Sequence, residues 1–415
     1  MQAFEARHII ETLRSGITSR EVSSVLMAGQ KSLLDRCHAD LEQVANGGSK
    51  VLIVRGPYGS GKSHFLSAVD NIARKQGFAD SSIVVSKETP FNRINKVYEA
   101  LAHAVSASGL PRHGFEDILM RLHPRADETD DIKEFAERQL HPKVYHVFCN
   151  YLQEGDLFKR SQLYDDLAGT FMPLSTLRAL HRANFGEAMH IPRFVLQDTY
   201  HYFQFLSFLL RCTGHKGWVI LIDEAELLSK LGIGARAQAY LNLGILLGLD
   251  PHRKIEGAYT VLAMASPFID EALTGEAPWS RKHDLLEVPE WFQDPRRNRA
   301  SDGKLASQVM RMLVEDSIPL DELTEEDTRS ILRQLTEFYC LGYGWDGSLD
   351  AAFVMERTIG RPIRTTIRAA VEYLDLTYTY GKAPTDIKIE ELYTGSYEED
   401  TAYEDKNGEP AQDPN

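Results

Sequence analysis

Gly56-Pro57-Tyr58-Gly59-Ser60-Gly61-Lys62-Ser63 is the stretch of this chain whose residue types and spacing specify chemistry most directly. It has the form G-x-x-x-x-G-K-[ST], follows the apolar run Val51-Leu52-Ile53-Val54, and leads into an amphipathic pattern at Phe65, Leu66 and Val69. Successive backbone N–H groups in such a loop curl into an anion-binding nest, and the glycines let the backbone come close. A helix starting at the end of the loop adds the positive end of its dipole. In that arrangement Lys62 reaches the β- and γ-phosphates of a triphosphate, and the Ser63 hydroxyl ligates Mg2+. A second run, Gly217-Trp218-Val219-Ile220-Leu221-Ile222-Asp223-Glu224, is apolar and closes on two acids. Asp223 is expected to hold Mg2+ through water, and Glu224 to polarise an attacking water as general base. Ser266 ends a third apolar run; its hydroxyl could hydrogen-bond the γ-phosphate or the lytic water, or simply start a turn before Pro267.

These side chains need a sheet to carry them. In open α/β sheets the site lies at the carboxyl ends of the strands, where both the glycine loop and Asp223 emerge. Strands are predicted at Val51-Leu52-Ile53-Val54, Ser82-Ile83-Val84-Val85-Ser86, 218–222, 259–265 and Leu285-Leu286-Glu287-Val288, giving a five-stranded parallel sheet. Helical periodicity precedes it in 1–20 (Phe4, Ile9, Ile10, Leu13, closed by Gly16) and in 21–46 (Leu33, Leu34, Cys37, Leu41, Val44). Val25, Leu26 and Ala28 could cover a bound base or could merely pack. Further helices are predicted through Ile94, Val97, Leu101 and Val105, and over 202–210.

The segment 112–200 is more than a minimal nucleotide fold requires, and reads as an inserted helical subdomain broken by Pro124, Pro142, Pro173 and Pro192. Its histidines (His113, His123, His141, His146, His181, His190, His201) lack paired metal-ligand spacing and read as surface or core-edge residues. Lys159, Arg160, Arg178, Arg182 and Arg193 could meet DNA or a partner, or form a solvated face. The run Arg296-Arg297-Asn298-Arg299 falls in a polar loop. Beyond Pro319 the pattern is helical, with Thr324 as N-cap and Asp327 completing a capping box, and a last helix over 364–376. The organisation is then 1–48 N-terminal helical segment, 49–111 with 201–300 core, 112–200 insertion, 301–385 C-terminal helices, and an acidic, mostly disordered tail over 386–415.

The chain has 415 residues, 43% of them apolar, enough for a large core and two or three domains. No apolar stretch approaches the roughly 18 residues of a membrane span, and the N-terminus lacks the layout of a signal peptide. Cys37, Cys149, Cys212 and Cys340 are scattered, which points to reduced thiols and a cytoplasmic protein. Of the net charge of −14, the stretch from Glu390 to the end supplies −8, leaving −6 on the body. Nucleic acid would therefore need a local basic patch or a basic partner.

Strands interleaved with helices, an Asp-Glu strand end, a polar strand tip and C-terminal helices resemble AAA+ P-loop ATPases. Three stretches narrow the resemblance: Ala6-Arg7-His8-Ile9-Ile10-Glu11-Thr12-Leu13-Arg14-Ser15-Gly16, then Gly56 through Ser63 with His64-Phe65-Leu66, and Thr89-Pro90-Phe91-Asn92-Arg93-Ile94-Asn95-Lys96-Val97-Tyr98. They are similar to the ATP-binding proteins of BREX-type bacterial antiphage systems, including relatives encoded beside a helicase and a TerB-domain protein. The likeness continues at Asp223-Glu224-Ala225-Glu226 and from Arg364 to Asp375. It implies an AAA+-type P-loop fold with a C-terminal helical lid, and ATP and Mg2+ as ligands. It further implies nucleotide contacts along Gly56, Pro57, Tyr58, Gly59, Ser60, Gly61, Lys62, Ser63 and His64, Mg2+ contacts at Ser63 and Asp223, and Arg364 as a second sensor. Gly29-Gln30 stands where relatives tend to carry Gly-Arg, and Ser266 where Thr is usual. Arg281, Arg296, Arg297 and Arg299 are candidates for an arginine acting in trans, with none favoured over the others.

The function this implies is a Mg2+-dependent ATPase subunit of an antiphage system, a homo-oligomer that assembles or remodels a DNA-acting complex with a helicase or other defence proteins. DNA would be met directly or through those partners. The alternative is a nucleotide-dependent scaffold that oligomerises on ATP with little turnover. A small-molecule kinase is disfavoured, because the Asp-Glu pair positions water rather than an acceptor hydroxyl.

Overall fold

The computed structural model describes residues 1–15, 29–110 and 113–386. Val25, Leu26, Ala28 and the acidic tail from 387 onward lie outside them. Helices α1 (Ala3–Arg14) and α2 (Lys31–Ala45) precede β1 (Lys50–Gly56), α3 (Lys62–Lys75), β2 (Ala79–Val84) and α4 (Ile94–His103). The extra segment supplies α5 (Glu116–Arg121), α6 (Asp127–Gln139), α7 (Pro142–Gln153), α8 (Leu157–Leu167) and α9 (Leu174–Phe185). The chain then returns through α10 (Tyr200–Cys212), β3 (Trp218–Asp223), α11 (Ile233–Leu246) and β4 (Ala258–Ala265). It continues with α12 (Asp284–Gln293), α13 (Ala300–Glu315), β5 (Ile318–Pro319), α14 (Glu325–Tyr343), α15 (Ala351–Arg357) and α16 (Ile363–Tyr380).

The five strands form one parallel sheet in the order β2-β3-β4-β1-β5. Every residue of β3 and β4 is buried, as a strand covered on both faces requires. The period-two alternation sorts each strand onto two cores: Ile220, Ile222, Leu262 and Met264 on one face, Val219, Leu221, Tyr259, Val261 and Ala263 on the other. Helices α2 and α3 cover the second face with Leu33, Cys37, Leu41, Val44, Phe65, Leu66 and Val69. The first face is covered by α4, α10, α11, α13 and the helices of the extra segment, all in one continuous apolar cluster. Tyr98 of α4 shows how that segment is seated: its hydroxyl donates to the Leu167 carbonyl at 2.7 Å and its ring meets Tyr202 and Phe203.

The fifth strand is not where the sequence pattern suggested. Leu285-Leu286-Glu287-Val288 lies within helix α12, and the sheet's fifth member is the two-residue β5, paired with Val54 and Arg55. Four apolar-rich residues satisfy either period, and length alone cannot separate a short strand from a turn of buried helix. What decides it is Asp284, fully buried at the first turn and bonded to Arg236 (2.9 Å) and to the Tyr240 hydroxyl (2.6 Å), both on α11. Those bonds anchor the segment to a helix on the sheet's face.

A third cluster joins the two ends of the described chain. Ile9, Ile10 and Leu13 of α1 pack with Leu332, Leu335 and Tyr339 of α14 and with Ala370, Val371 and Leu374 of α16. Gly342 allows the approach, since a side chain there would meet the Arg7 backbone. Arg14 bonds Asp375 at 2.6 Å, and the same carboxylate accepts from Tyr339 at 2.7 Å. The capping box at Thr324 and Asp327 that opens α14 is present. No helix of the described residues is long and apolar enough to cross a membrane.

Candidate active site

The glycine loop leaves the end of β1 and turns into α3, so the first-turn N–H groups of that helix face whatever the loop holds. Gly59 and Gly61 take φ of +76° and +97°, conformations that a residue with a Cβ adopts at a cost. At Gly56 a Cβ would run into the Ser60 hydroxyl. That hydroxyl oxygen is buried and makes no hydrogen bond to the described residues. A built but unsatisfied polar group of this kind marks a place for a ligand. Lys62 is the first residue of α3 and 8% exposed. Its Nζ donates to the Gly56 carbonyl (3.1 Å) and the Pro57 carbonyl (2.9 Å). Ser63 and His64 follow on the same first turn, both half-buried, while Pro57 and Tyr58 are exposed.

Register brings the other groups to the same end of the sheet. Gly56 pairs with Ala265, so the loop begins level with the tip of β4, and the Ser266 N–H donates to the Gly56 carbonyl at 3.1 Å. Strand β3 lies on the far side of β4, two strand spacings or roughly 10 Å from β1. Asp223 ends β3, buried, and its Oδ1 accepts from the Glu224 N–H at 2.9 Å. Glu224 is open to water and has φ +56°, a left-handed backbone that glutamate rarely adopts. Glu226, by contrast, is 6% exposed, and its Oε2 accepts from the Ala265 N–H at 2.9 Å.

The charges of these groups act on one another. Burial pushes the Lys62 ammonium below its ordinary range, opposed by the charges of Glu226, Asp223 and Glu224. Burial raises the Glu224 carboxyl, and Asp223 and Glu226 raise it further. Arg364 is exposed on the first turn of α16, and its charge is felt by both Lys62 and Glu224. Pro362, just ahead of it, comes so close to Gly59 that a Cβ on Gly59 would stand 2.7 Å from it. The C-terminal helices thus rest directly on the loop.

A family profile described as BREX system ATP-binding protein BrxC/D matches residues 1–144 and 193–385. The chain belongs to this family. It is a family of ATP-binding proteins of a phage-defence system. None of the curated proteins compared with the chain matches it. The BrxC/D match spans every strand, the loop and the Arg364 helix, and omits 145–192, which holds most of α7 together with α8 and α9.

Not every candidate lies at the loop. Among the arginines considered for action in trans, Arg297 bonds Asp294 at 2.9 Å and lies 4.0 Å above the Trp291 ring, and Arg299 pairs with Asp302. Arg281 and Arg296 are exposed. Gln30, where Arg was expected, clasps the Asp321 backbone through its amide, donating at 2.7 Å and accepting at 3.1 Å. Of the histidines of the extra segment, His146 packs against His181 and His141 against Phe194, while His113, His123 and His190 are exposed. Burial lowers His146 and His201 to about 4. No group of three metal-ligating side chains occurs among the described residues. Two participants escaped the sequence reading: Pro362, which carries no signal, and Glu226, whose signal was an acid two residues past the Asp223-Glu224 pair.

Proposed function

We propose that this chain is a Mg2+-dependent ATPase of the AAA+ type, acting at Lys62, Ser63, Asp223 and Glu224, and serving BREX defence by assembling or remodelling a DNA-acting complex as a homo-oligomer with partner proteins. The supporting observation is the convergence of Lys62, Asp223 and Glu224 at the carboxyl ends of β1 and β3, with the tip of β4 between them. The Lys62 ammonium, held by two carbonyls of its own loop, is free to exchange them for phosphate oxygens. The loop N–H groups and the Ser60 hydroxyl would take the remaining phosphate oxygens.

Ser63 and Asp223 offer a hydroxyl and a carboxylate, hard oxygen donors of the kind Mg2+ takes together with substrate phosphates. Mg2+ held there would neutralise phosphate charge as the γ-phosphoryl group leaves. Glu224, water-exposed and made more basic by its surroundings, takes the proton of the attacking water while ADP departs with the bond's electrons. Ser266 would orient that water or the γ-phosphate, and Arg364 would report nucleotide occupancy to the C-terminal helices that act as a lid.

The test is a pair of variants. Lys62→Ala abolishes ATP binding, whereas Glu224→Gln binds ATP and hydrolyses it about 100- to 10,000-fold more slowly, the usual contribution of a general base. Wild-type turnover by Glu224→Gln would overturn the base assignment. Sizing Glu224→Gln with and without ATP and duplex DNA reads assembly. ATP-driven oligomers from a wild-type protein that turns over no faster than this variant would mean a nucleotide-driven scaffold instead.

A further inference from the structure

Strand β4 outruns its neighbour. The β3–β4 ladder ends at Ile222 and Leu262, three residues before Ala265. The Ala265 N–H therefore has no strand carbonyl to meet on the β3 side, and a buried N–H left alone is costly. The Glu226 carboxylate takes that N–H at 2.9 Å, from a turn that begins directly after the left-handed Glu224. The adjacent peptide points the other way: the Ser266 N–H donates to the Gly56 carbonyl, and this carbonyl also accepts from Lys62 Nζ. A hydrogen-bonded line thus runs from a buried carboxylate, through the tip of β4, to the loop lysine. Burial raises the Glu226 carboxyl above its ordinary range, opposed by the Ala265 N–H that it accepts and by the charge of Lys62.

We propose that Glu226 is a positioning residue: its acceptor oxygen takes the Ala265 N–H and so fixes the Ser266 tip against the Gly56 carbonyl that also holds Lys62.

The inference rests on the ATP site proposed above. Glu226→Ala removes the oxygen that accepts from Ala265 and is expected to lose kcat by at least about tenfold, because Ser266 is no longer held. Glu226→Gln keeps an accepting oxygen and is expected to recover most of that loss. Binding is read by calorimetry with ATP, turnover by phosphate release, and folding of each variant by circular dichroism. Equal kcat in folded Glu226→Gln and Glu226→Ala overturns the positioning role. If wild type and Lys62→Ala bind ATP alike, the ATP site itself is wrong. If Lys62→Ala fails to bind while the two Glu226 variants turn over alike, only the role of Glu226 is lost.

Discussion

Glu224 stands at φ +56° and ψ +39°, directly between strand β3 and the turn that carries Glu226. A left-handed backbone costs a residue with a Cβ roughly 1–2 kcal/mol, and glycine almost nothing. Glycine ordinarily loses about 0.5–1 kcal/mol to alanine through the entropy of the unfolded chain. At position 224 the first effect outweighs the second, so Glu224→Gly is expected to be more stable than Glu224→Ala by about 0.5–1 kcal/mol. In a chain of 415 residues 1 kcal/mol moves Tm by only about 1 °C, so that is a difference of about 0.5–1 °C. Arg182, exposed within helix α9, provides the control. There Arg182→Ala should exceed Arg182→Gly by about 1 kcal/mol, the ordinary helical order. Thermal unfolding of the four variants without nucleotide reads the reversal, and phosphate release should show hydrolysis lost in both position-224 variants. If Glu224→Ala proves as stable as Glu224→Gly or more so, the backbone at 224 is not strained in solution.

Two further outcomes are expected. Lys143 (1% exposed) pairs at 2.8 Å with the fully buried Asp166, under the rings of Phe171 and Phe194. Lys143→Ala should therefore cost about 3–5 kcal/mol in urea unfolding, because it strands a buried carboxylate, and a loss under about 1 kcal/mol would refute the pair's importance. Burial first, then Asp223 and Glu226, raise the Glu224 carboxyl above its ordinary range. Hydrolysis should therefore fail, as pH falls, at a higher pH than an ordinary glutamate would give, since a protonated Glu224 cannot accept water's proton. Glu226→Gln removes one of the raising charges and should move that acid limb downward; a limb that moves upward, or one already within the ordinary range in wild type, contradicts the arrangement.

Much of the sheet was legible because buried strands and covering helices carry unmistakable periods. Val51 to Val54 and 218–222 are apolar throughout, 259–265 is apolar but for Thr260, and the helices at 94–103 and 325–343 repeat every three or four residues. The loop was legible for a different reason: binding phosphate with backbone N–H groups demands glycine, lysine and a hydroxyl at set positions along one short segment. Leu285 to Val288 was misassigned because three apolar residues in four suit either period, and its state depends on Asp284 meeting Arg236 and Tyr240. The fifth strand, two residues long, is too short to show any period.

The amino-acid sequence by itself determined the chemistry that each of two segments can carry: a nest for phosphate with a lysine and a hydroxyl in one, and an acid pair at the end of a buried strand in the other. Those depend on residues within a few positions of each other, and local backbone geometry is enough to place them. Only the tertiary structure decided which distant groups join them. Strand order put the tip of β4 between Lys62 and Asp223, the excess length of β4 recruited Glu226, and the packing of α16 set Pro362 on Gly59. The N-terminal helix likewise reached the C-terminal cluster through Arg14 and Asp375, which are 361 positions apart. Contacts across such separations arise from the burial of complementary faces, and burial is a property of the whole folded chain rather than of any stretch within it.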